Sequence, residues 1–121
     1  MNDELALMVV HARNVDFAVA AARVQEVVPV DRWAGEPAID LAQLVGVEPE
    51  GGAVRILLLA RAGREPLAAL VSGDVTLRHI ARDHLLPLPA PLAAHVRWIS
   101  HVVVSDGQQP LLVLEAERVV A

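Results

Sequence analysis

The sequence contains no cysteine and no lysine among its 121 residues. Without cysteine the chain has no disulfide bond, no thiolate zinc site and no cysteine nucleophile. Without lysine it lacks the lysine of a phosphate-binding loop, and Gly51-Gly52 is not followed by the residues that such a loop needs. These absences exclude disulfide scaffolds, thiolate metal sites and nucleotide hydrolases of the phosphate-loop type.

Aromatic residues and positive charge are also scarce. The only aromatic side chains are Phe17, Trp33 and Trp98, and ten arginines stand against fifteen acidic residues, for a net charge of −5. The arginines are scattered and form no basic segment. Nucleic-acid binding needs a basic patch for the phosphates or several aromatic rings for the bases. We therefore expect no direct binding of nucleic acid.

Composition also argues against a membrane protein and against a disordered chain. No apolar segment approaches the roughly 20 residues that span a bilayer, and the acidic start, Met1-Asn2-Asp3-Glu4, is unlike the basic start of a signal peptide. With 55% hydrophobic and 21% charged residues, the chain has the composition of one folded domain. We expect a cytoplasmic protein without membrane insertion.

Short aliphatic segments separated by turn residues predict a mostly β fold. The predicted strands cover residues 5–10, 17–20, 54–60, 67–71, 75–80, 96–104 and 111–114. Residues 54–60 and 67–71 form a predicted hairpin, and the last two segments form another around Asp106-Gly107.

Helices are predicted at three places. Val24, Val27 and Val28 recur at helical spacing, which favours a helix over residues 21–28 that ends before Pro29. Asp40 stands at an N-cap position before a helix over residues 41–45, and Gly46 follows as its end. Residues 115–120 are expected to form a closing helix. In residues 85–92, three prolines exclude a helix interior and a central strand.

Many short strands with proline-rich connections are typical of small closed β-barrels. The clearest break in the chain is the segment from Glu48 to Gly52. We therefore expect one domain made of an N-terminal sub-barrel over about residues 1–50 and a C-terminal sub-barrel over about residues 53–115.

The residues that carry chemistry form no recognised motif. Several histidines leave a small metal-binding β-barrel open as an alternative, but their spacing matches no known ligand pattern; they are His79, His84, His95 and His101. None of the serines lies in a Gly-x-Ser-x-Gly context. We expect no catalytic residues, no metal and no cofactor, and hence no enzyme.

Trp33 is a large apolar ring in a polar loop, beside Arg32. Tryptophan and arginine are the residues that most often anchor protein interfaces. The pair therefore indicates either a partner-binding anchor or a lid over the end of a barrel, and both interpretations stay open.

Five segments, in order, resemble segments of one known family. The first is Phe-Ala-Val-Ala-Ala-Ala-Arg-Val-Gln-Glu-Val-Val at residues 17–28. The others are Ile39-Asp40-Leu41 with Leu44-Val45-Gly46, residues 67–75, Leu86-Pro87-Leu88-Pro89 and residues 104–120. Together they resemble CheW-like domains, the coupling proteins of bacterial chemotaxis.

The resemblance implies a fold of two small SH3-like β-barrels with short helices. Much of the family's segment between its Val-x-Glu-Val and Asp-Leu motifs is absent here, and only residues 29–38 bridge the gap. This difference implies a truncated N-terminal barrel with unpaired strand edges. A partner or a second copy of the chain is expected to cover those edges.

The function that the resemblance implies is that of a non-enzymatic adaptor in chemosensory signalling. Its expected partners are the cytoplasmic domain of a methyl-accepting chemoreceptor and a histidine kinase of the CheA type, or another CheW-like protein. Because an arginine–glycine strand of the family is missing, kinase binding is left open, and the chain also resembles a shortened accessory coupler like the small one of the Frizzy gliding-motility system. By position in the resemblance, Val24, Glu26 and Val27 lie near the groove between the barrels, and core packing of the two valines is the alternative.

Overall fold

The computed structural model describes residues 3–13, 15–35, 39–46, 48, 51–93, 96–104 and 109–119. Within these residues it contains ten strands and two short helices. The strands are β1 (Glu4–Val10), β2 (Asp16–Ala20), β3 (Val24–Pro29), β4 (Ile39–Asp40), β5 (Val54–Arg61), β6 (Arg64–Ser72), β7 (Val75–Ala81), β8 (Leu86–Pro87), β9 (Ile99–Val103) and β10 (Leu111–Leu114). The helices are α1 (Leu41–Val45) and α2 (Ala90–Ala93).

The strands form two sheets, which confirms the predicted mostly β class. The first sheet has six strands in the order β7-β1-β2-β10-β9-β8, and the second has four in the order β3-β5-β6-β4. Two pairings, β2 with β10 and β4 with β6, are parallel, and the others are antiparallel. Each sheet takes strands from both sides of residues 50–53, and the sub-barrel limits of 1–50 and 53–115 stay a prediction.

The six-stranded sheet is apolar on both faces. Along β1, Leu7 and Val9 enter one hydrophobic cluster, whereas Met8 and Val10 enter another. Successive side chains of a strand point to opposite faces, and a strand that is buried on both faces therefore has no polar alternation. We call the first cluster the barrel cluster and the second the shared cluster, because the second contains residues of both sheets.

The four-stranded sheet is centred on the β5–β6 hairpin, as predicted. Gly63 turns the chain between these strands with φ at +67°, a conformation that glycine adopts without strain. Alternate residues of the two strands enter the shared cluster: Leu57, Leu59, Leu67, Ala69 and Val71. The hairpin is thereby packed against the six-stranded sheet.

Helix α1 begins and ends where its capping residues predict. The Asp40 Oδ1 atom accepts a hydrogen bond from the Gln43 backbone N–H at 3.2 Å. Gly46 ends the helix in the left-handed conformation, with φ at +76°. The helix buries Leu41 and Ala42 in the shared cluster.

The predicted helix over residues 21–28 is wrong. Residues Ala21–Arg23 form one 3-10 turn, and Val24–Pro29 is strand β3, paired antiparallel with β5. β-branched valines fit a pleated strand better than a helix, and hydrogen bonding along β5 outweighs the local helical spacing. A register shift between Val24 and Glu26 explains why the apolar residues do not alternate.

The C-terminal elements follow the predictions in part. The antiparallel pairing of β9 with β10 is confirmed, while the Asp106-Gly107 turn lies outside the described residues. In place of a helix over 115–120, residues Ala116–Arg118 form a 3-10 turn, because Arg118 N–H bonds to Glu115 O and Val119 N–H to Ala116 O. Each bond spans three residues, and the turn does not continue as an α-helix.

The proline-rich segment behaves as its composition predicts. Strand β8 contains Pro87 and lies at the edge of its sheet, where a missing N–H does little harm. Pro91 stands in the first turn of α2, whose N–H groups have no partner within a helix. In the part of the chain that the structure describes, no helix has the length and hydrophobicity needed to cross a membrane.

Candidate partner-binding surface

A groove lies where the chain passes from the first sheet to the second. Strand β2 ends at Ala20 and leads through the 3-10 turn Ala21–Arg23 into β3, and β10 leads into the turn Ala116–Arg118 nearby. The groove has a volume of about 290 Å³. We call it the crossover groove.

The crossover groove has an apolar floor and a polar rim. Its apolar lining comes from β1, β2, β10, the segment before β8 and the turn after β10: Leu5, Val19, Ala20, Leu85, Val113, Leu114 and Ala116. Its polar lining consists of Arg23, Arg82, Ser100, His101 and Glu115. An apolar surface surrounded by a few polar groups is the usual form of a binding site.

Positive groups outnumber negative ones among the lining residues. Arg23 Nη1 lies 2.9 Å from Glu117 Oε1, and Arg82 Nε lies 3.5 Å from Asp3 Oδ1. Such partly exposed ion pairs are weak and exchange readily with a charged partner. An acidic partner would pair with these arginines in place of Glu117 and Asp3.

The sequence-predicted residues on β3 do not share one face. Val24 pairs with Leu59, and Glu26 pairs with Leu58. Because Leu58 and Leu59 are adjacent on β5, their side chains and those of their partners point to opposite sides of the sheet. Val24 is half-buried and packs against the shared cluster. Glu26 and Val27 are exposed, and Val27 is 43% accessible.

Arg32 and Trp33 follow β3 directly. Arg32 is exposed on the 3-10 turn Val30–Arg32, whereas Trp33 is half-buried and its backbone N–H bonds to Val30 O at 3.2 Å. The indole ring lies over Gly35, where a Cβ atom would come within 2.5 Å of Trp33 Cζ2. The ring is thus held in place on a loop next to the exposed end of β3.

The second sheet ends in two strands that each have one partner among the described residues. Strand β3 pairs with β5 and β4 pairs with β6. An edge strand presents unpaired N–H and C=O groups that another chain can bond to. Exposed Val27 and Val30 lie on and just after the β3 edge.

The histidines do not form a metal site in the described part of the chain. There, no group of three histidine or acidic side chains lies close enough together to hold a metal ion. His79 and His84 are exposed, and His101 lies in the crossover groove with its Nδ1 atom 2.9 Å from Ser100 Oγ. His95 lies outside the described residues.

Sequence reasoning missed the residues that line the crossover groove. Arg23 lies between β2 and β3, whereas Arg82 and Leu85 lie about sixty residues further on, between β7 and β8, and the three belong to no motif. Only the pairing of β1 with β2 and β7 brings them together. No signal in the sequence itself could have identified them as one site.

Comparison with known proteins gives a fold but no close relative. No protein-family model matches the chain, and no curated protein matches it. Among solved structures, the chain is similar to the scaffolding protein TtCheW from Thermoanaerobacter tengcongensis, with a TM-score of 0.73 at 14% sequence identity. The match covers 93% of this chain and 84% of that one. The chain therefore has a CheW-like fold, which confirms the fold that the sequence resemblance implied.

Proposed function

We propose that this protein is a non-enzymatic adaptor of a bacterial chemosensory array, which works in the cytoplasm by contacting other proteins. The crossover groove carries the proposal, because it joins an apolar floor to a polar rim with two arginines where the chain passes between the two sheets. Support comes also from the fold, since a protein described as a scaffold has the same one.

The partner that fits the crossover groove is a helix from the cytoplasmic domain of a methyl-accepting chemoreceptor. An amphipathic helix buries its apolar residues in such a groove. Acidic residues beside them would meet Arg23 and Arg82, which lie on the rim. Complementary charge of this kind sets the orientation of the partner and speeds its association.

A second contact is proposed at the β3 edge, with the CheA-type kinase or with another CheW-like chain. Glu26, Val27, Arg32 and Trp33 lie on or just after this strand, and Val27 is exposed. If the truncation has removed kinase binding, the protein acts as an accessory coupler that binds receptor alone.

A binding experiment with matched variants tests the receptor contact. The full chain is titrated calorimetrically with a receptor cytoplasmic fragment, and Arg82→Glu is compared with Arg13→Glu. Arg82 lines the crossover groove, whereas Arg13 is exposed at the opposite end of the first sheet. We expect Arg82→Glu to weaken binding about tenfold or more and Arg13→Glu to leave it nearly unchanged. Equal affinities for both variants would contradict binding at this groove.

The β3 edge is tested separately by sedimentation velocity and by titration with the kinase regulatory domain. Val27→Lys places a charge on the edge strand, a substitution that blocks strand pairing between chains. Loss of kinase binding or of self-association in this variant, with receptor binding intact, would support a second contact. If the wild-type chain stays monomeric and does not bind the kinase, the proposed contact at the β3 edge is wrong, and only receptor binding remains.

A further inference from the structure

A polar pocket lies at the end of the first sheet opposite the crossover groove. It has a volume of about 600 Å³ and is formed where β1 ends and where β2, β7 and β10 begin. Its lining includes His11, Arg13, Asp16, Asp74 and Arg78. The adaptor function proposed above makes no use of it.

One histidine of this pocket, His11, lies between an acid of the pocket and the hydroxyl of a neighbouring exposed residue. His11 Nδ1 lies 3.3 Å from Asp16 Oδ2, and His11 Nε2 lies 3.1 Å from Thr76 Oγ1. Asp16 is the buried charged residue of the described chain, with 7% of its surface accessible, while Thr76 is exposed. The hydroxyl is therefore accessible from solvent, and the acid on the other side of the imidazole is shielded from water.

The chemistry of the three groups fixes the direction of the hydrogen bonds. A carboxylate only accepts hydrogen bonds, and His11 Nδ1 must therefore carry the proton that faces Asp16. Among the described residues the other oxygen of Asp16, Oδ1, has no hydrogen-bond partner, which leaves His11 as the partner of this buried side chain. In the neutral ring, Nε2 is then an acceptor, and the Thr76 hydroxyl donates to it.

A hydroxyl that donates to an imidazole held by an acid is the arrangement of an activated nucleophile. We propose that Thr76 is a covalent acylation site that takes an acyl group from an activated ester or an acyl phosphate. Thr76 Oγ1 forms a bond to the acyl carbon, and the bond from that carbon to the leaving oxygen breaks. The threonine proton passes to His11 Nε2 and then to the leaving oxygen.

Two further features support acylation at Thr76. Arg78 lines the pocket together with His11 and lies two residues after Thr76 on the same face of β7, and its positive charge favours the negative charge that develops on the attacked carbonyl oxygen. The distances from His11 to Asp16 and to Thr76 are close to those in activated nucleophiles, and such distances often shorten when substrate binds.

The chain contains its own comparison site. Ser100 Oγ also lies beside an imidazole nitrogen, His101 Nδ1, at 2.9 Å. Among the described residues, however, no carboxylate forms an ion pair with His101. Ser100 and His101 therefore provide, in the same molecule, a hydroxyl–imidazole pair that lacks the ion-paired acid.

The absence of lysine, cysteine and tyrosine makes the experiment unusually clean, because these are the residues that acylating reagents usually modify. Thr76 is also the only threonine in the sequence. The full chain is treated with p-nitrophenyl acetate, p-nitrophenolate release is followed by absorbance, and the acetyl group is located by peptide mass spectrometry. We expect a rapid release of one equivalent and one acetyl group on Thr76.

Three variants test the assignment. Thr76→Val keeps the shape of an exposed side chain and should abolish the rapid phase, while Leu77→Ala, at the exposed neighbouring residue on the other face of β7, should leave it unchanged. His11→Gln should slow acetylation of Thr76 about a hundredfold, the lower end of the effect of a positioned base. Acetyl groups on Ser100, on the α-amino group or on a histidine with none on Thr76 would overturn the proposal, as would an unchanged rate in His11→Gln.

Asp16 acts through His11 and is a positioning residue, for which a spectroscopic measurement is needed. In nitrogen-15 NMR spectra of the imidazole rings, we expect the His11 proton on Nδ1 in the wild type. Asp16→Asn should shift this proton toward Nε2 and slow acetylation. A wild-type proton on Nε2 would contradict the arrangement, whether or not the variant remains stable.

Discussion

The shared cluster predicts that the two sheets unfold together. Phe17 on β2 is the only phenylalanine and is 2% accessible within this cluster. Replacing a buried phenylalanine with alanine removes apolar contacts and leaves a cavity, at a cost of about 3–5 kcal/mol. The free energy of unfolding of a small domain is about 5–15 kcal/mol, and Phe17→Ala should therefore remove a large part of it.

The two tryptophans can report on the two sheets separately. Trp33 follows the last residues of β3 in the second sheet, and Trp98 precedes β9 in the first. In single-tryptophan chains made by Trp33→Phe or Trp98→Phe, urea unfolding followed by fluorescence should give coincident transitions. Adding Phe17→Ala should lower both midpoints equally, since the lost contacts belong to both sheets.

A surface substitution provides the control for this experiment. Leu77 on β7 is 56% accessible, and Leu77→Ala should change the free energy of unfolding by only about 0.5 kcal/mol or less. Two separate transitions, or a Phe17→Ala effect on one tryptophan alone, would refute the shared core.

Three further predictions concern the loops and helix α1. Gly35→Ala would bring a Cβ atom within 2.5 Å of Trp33 Cζ2, and we expect a changed fluorescence maximum as the ring moves; an unchanged spectrum would contradict the ring position. Asp40→Ala removes the bond to Gln43 N–H and should cost about 1 kcal/mol in urea unfolding, with Asp40→Asn as the conservative control that retains most of it. Gly46→Ala forces alanine to φ near +76° and should cost about 1 kcal/mol, whereas a neutral effect would mean that the helix ends differently.

Local features of the sequence predict much of the secondary structure. Strands β1, β5 and β6 are continuous aliphatic segments between turn residues, and the cap at Asp40 and the end at Gly46 each depend on the chemistry of one side chain. Such signals are contained within a few residues, and a reading of the chain can therefore find them.

The errors arise where distant residues decide the structure. Val24, Val27 and Val28 have helical spacing, but pairing with β5, about thirty residues further on, makes β3 a strand with a register shift. The parallel pairing of β2 with β10 likewise depends on residues far apart in sequence. No local pattern records these pairings.

Separation in the sequence also explains which candidate site residues could be predicted. Trp33 and Arg32 stand out by residue type alone, whereas the crossover groove combines residues from β1, β2, β10 and their connections. His11 and Thr76 are 65 residues apart, and a search for motifs around serine could not find them. Both candidate sites consist of residues that strand pairing in the first sheet brings together.

We propose that a helix of the chemoreceptor cytoplasmic domain binds in the crossover groove. The most direct measurement is a titration of the nitrogen-15-labelled chain with a receptor cytoplasmic fragment, followed through the backbone amide signals. We expect the amide signals of Leu5, Arg23 and Leu85 to shift in proportion to binding, while those of Asp74 and Thr76, at the far end of the sheet, stay unchanged. Binding that shifts only the far-end amides, or no binding at millimolar fragment, would contradict it.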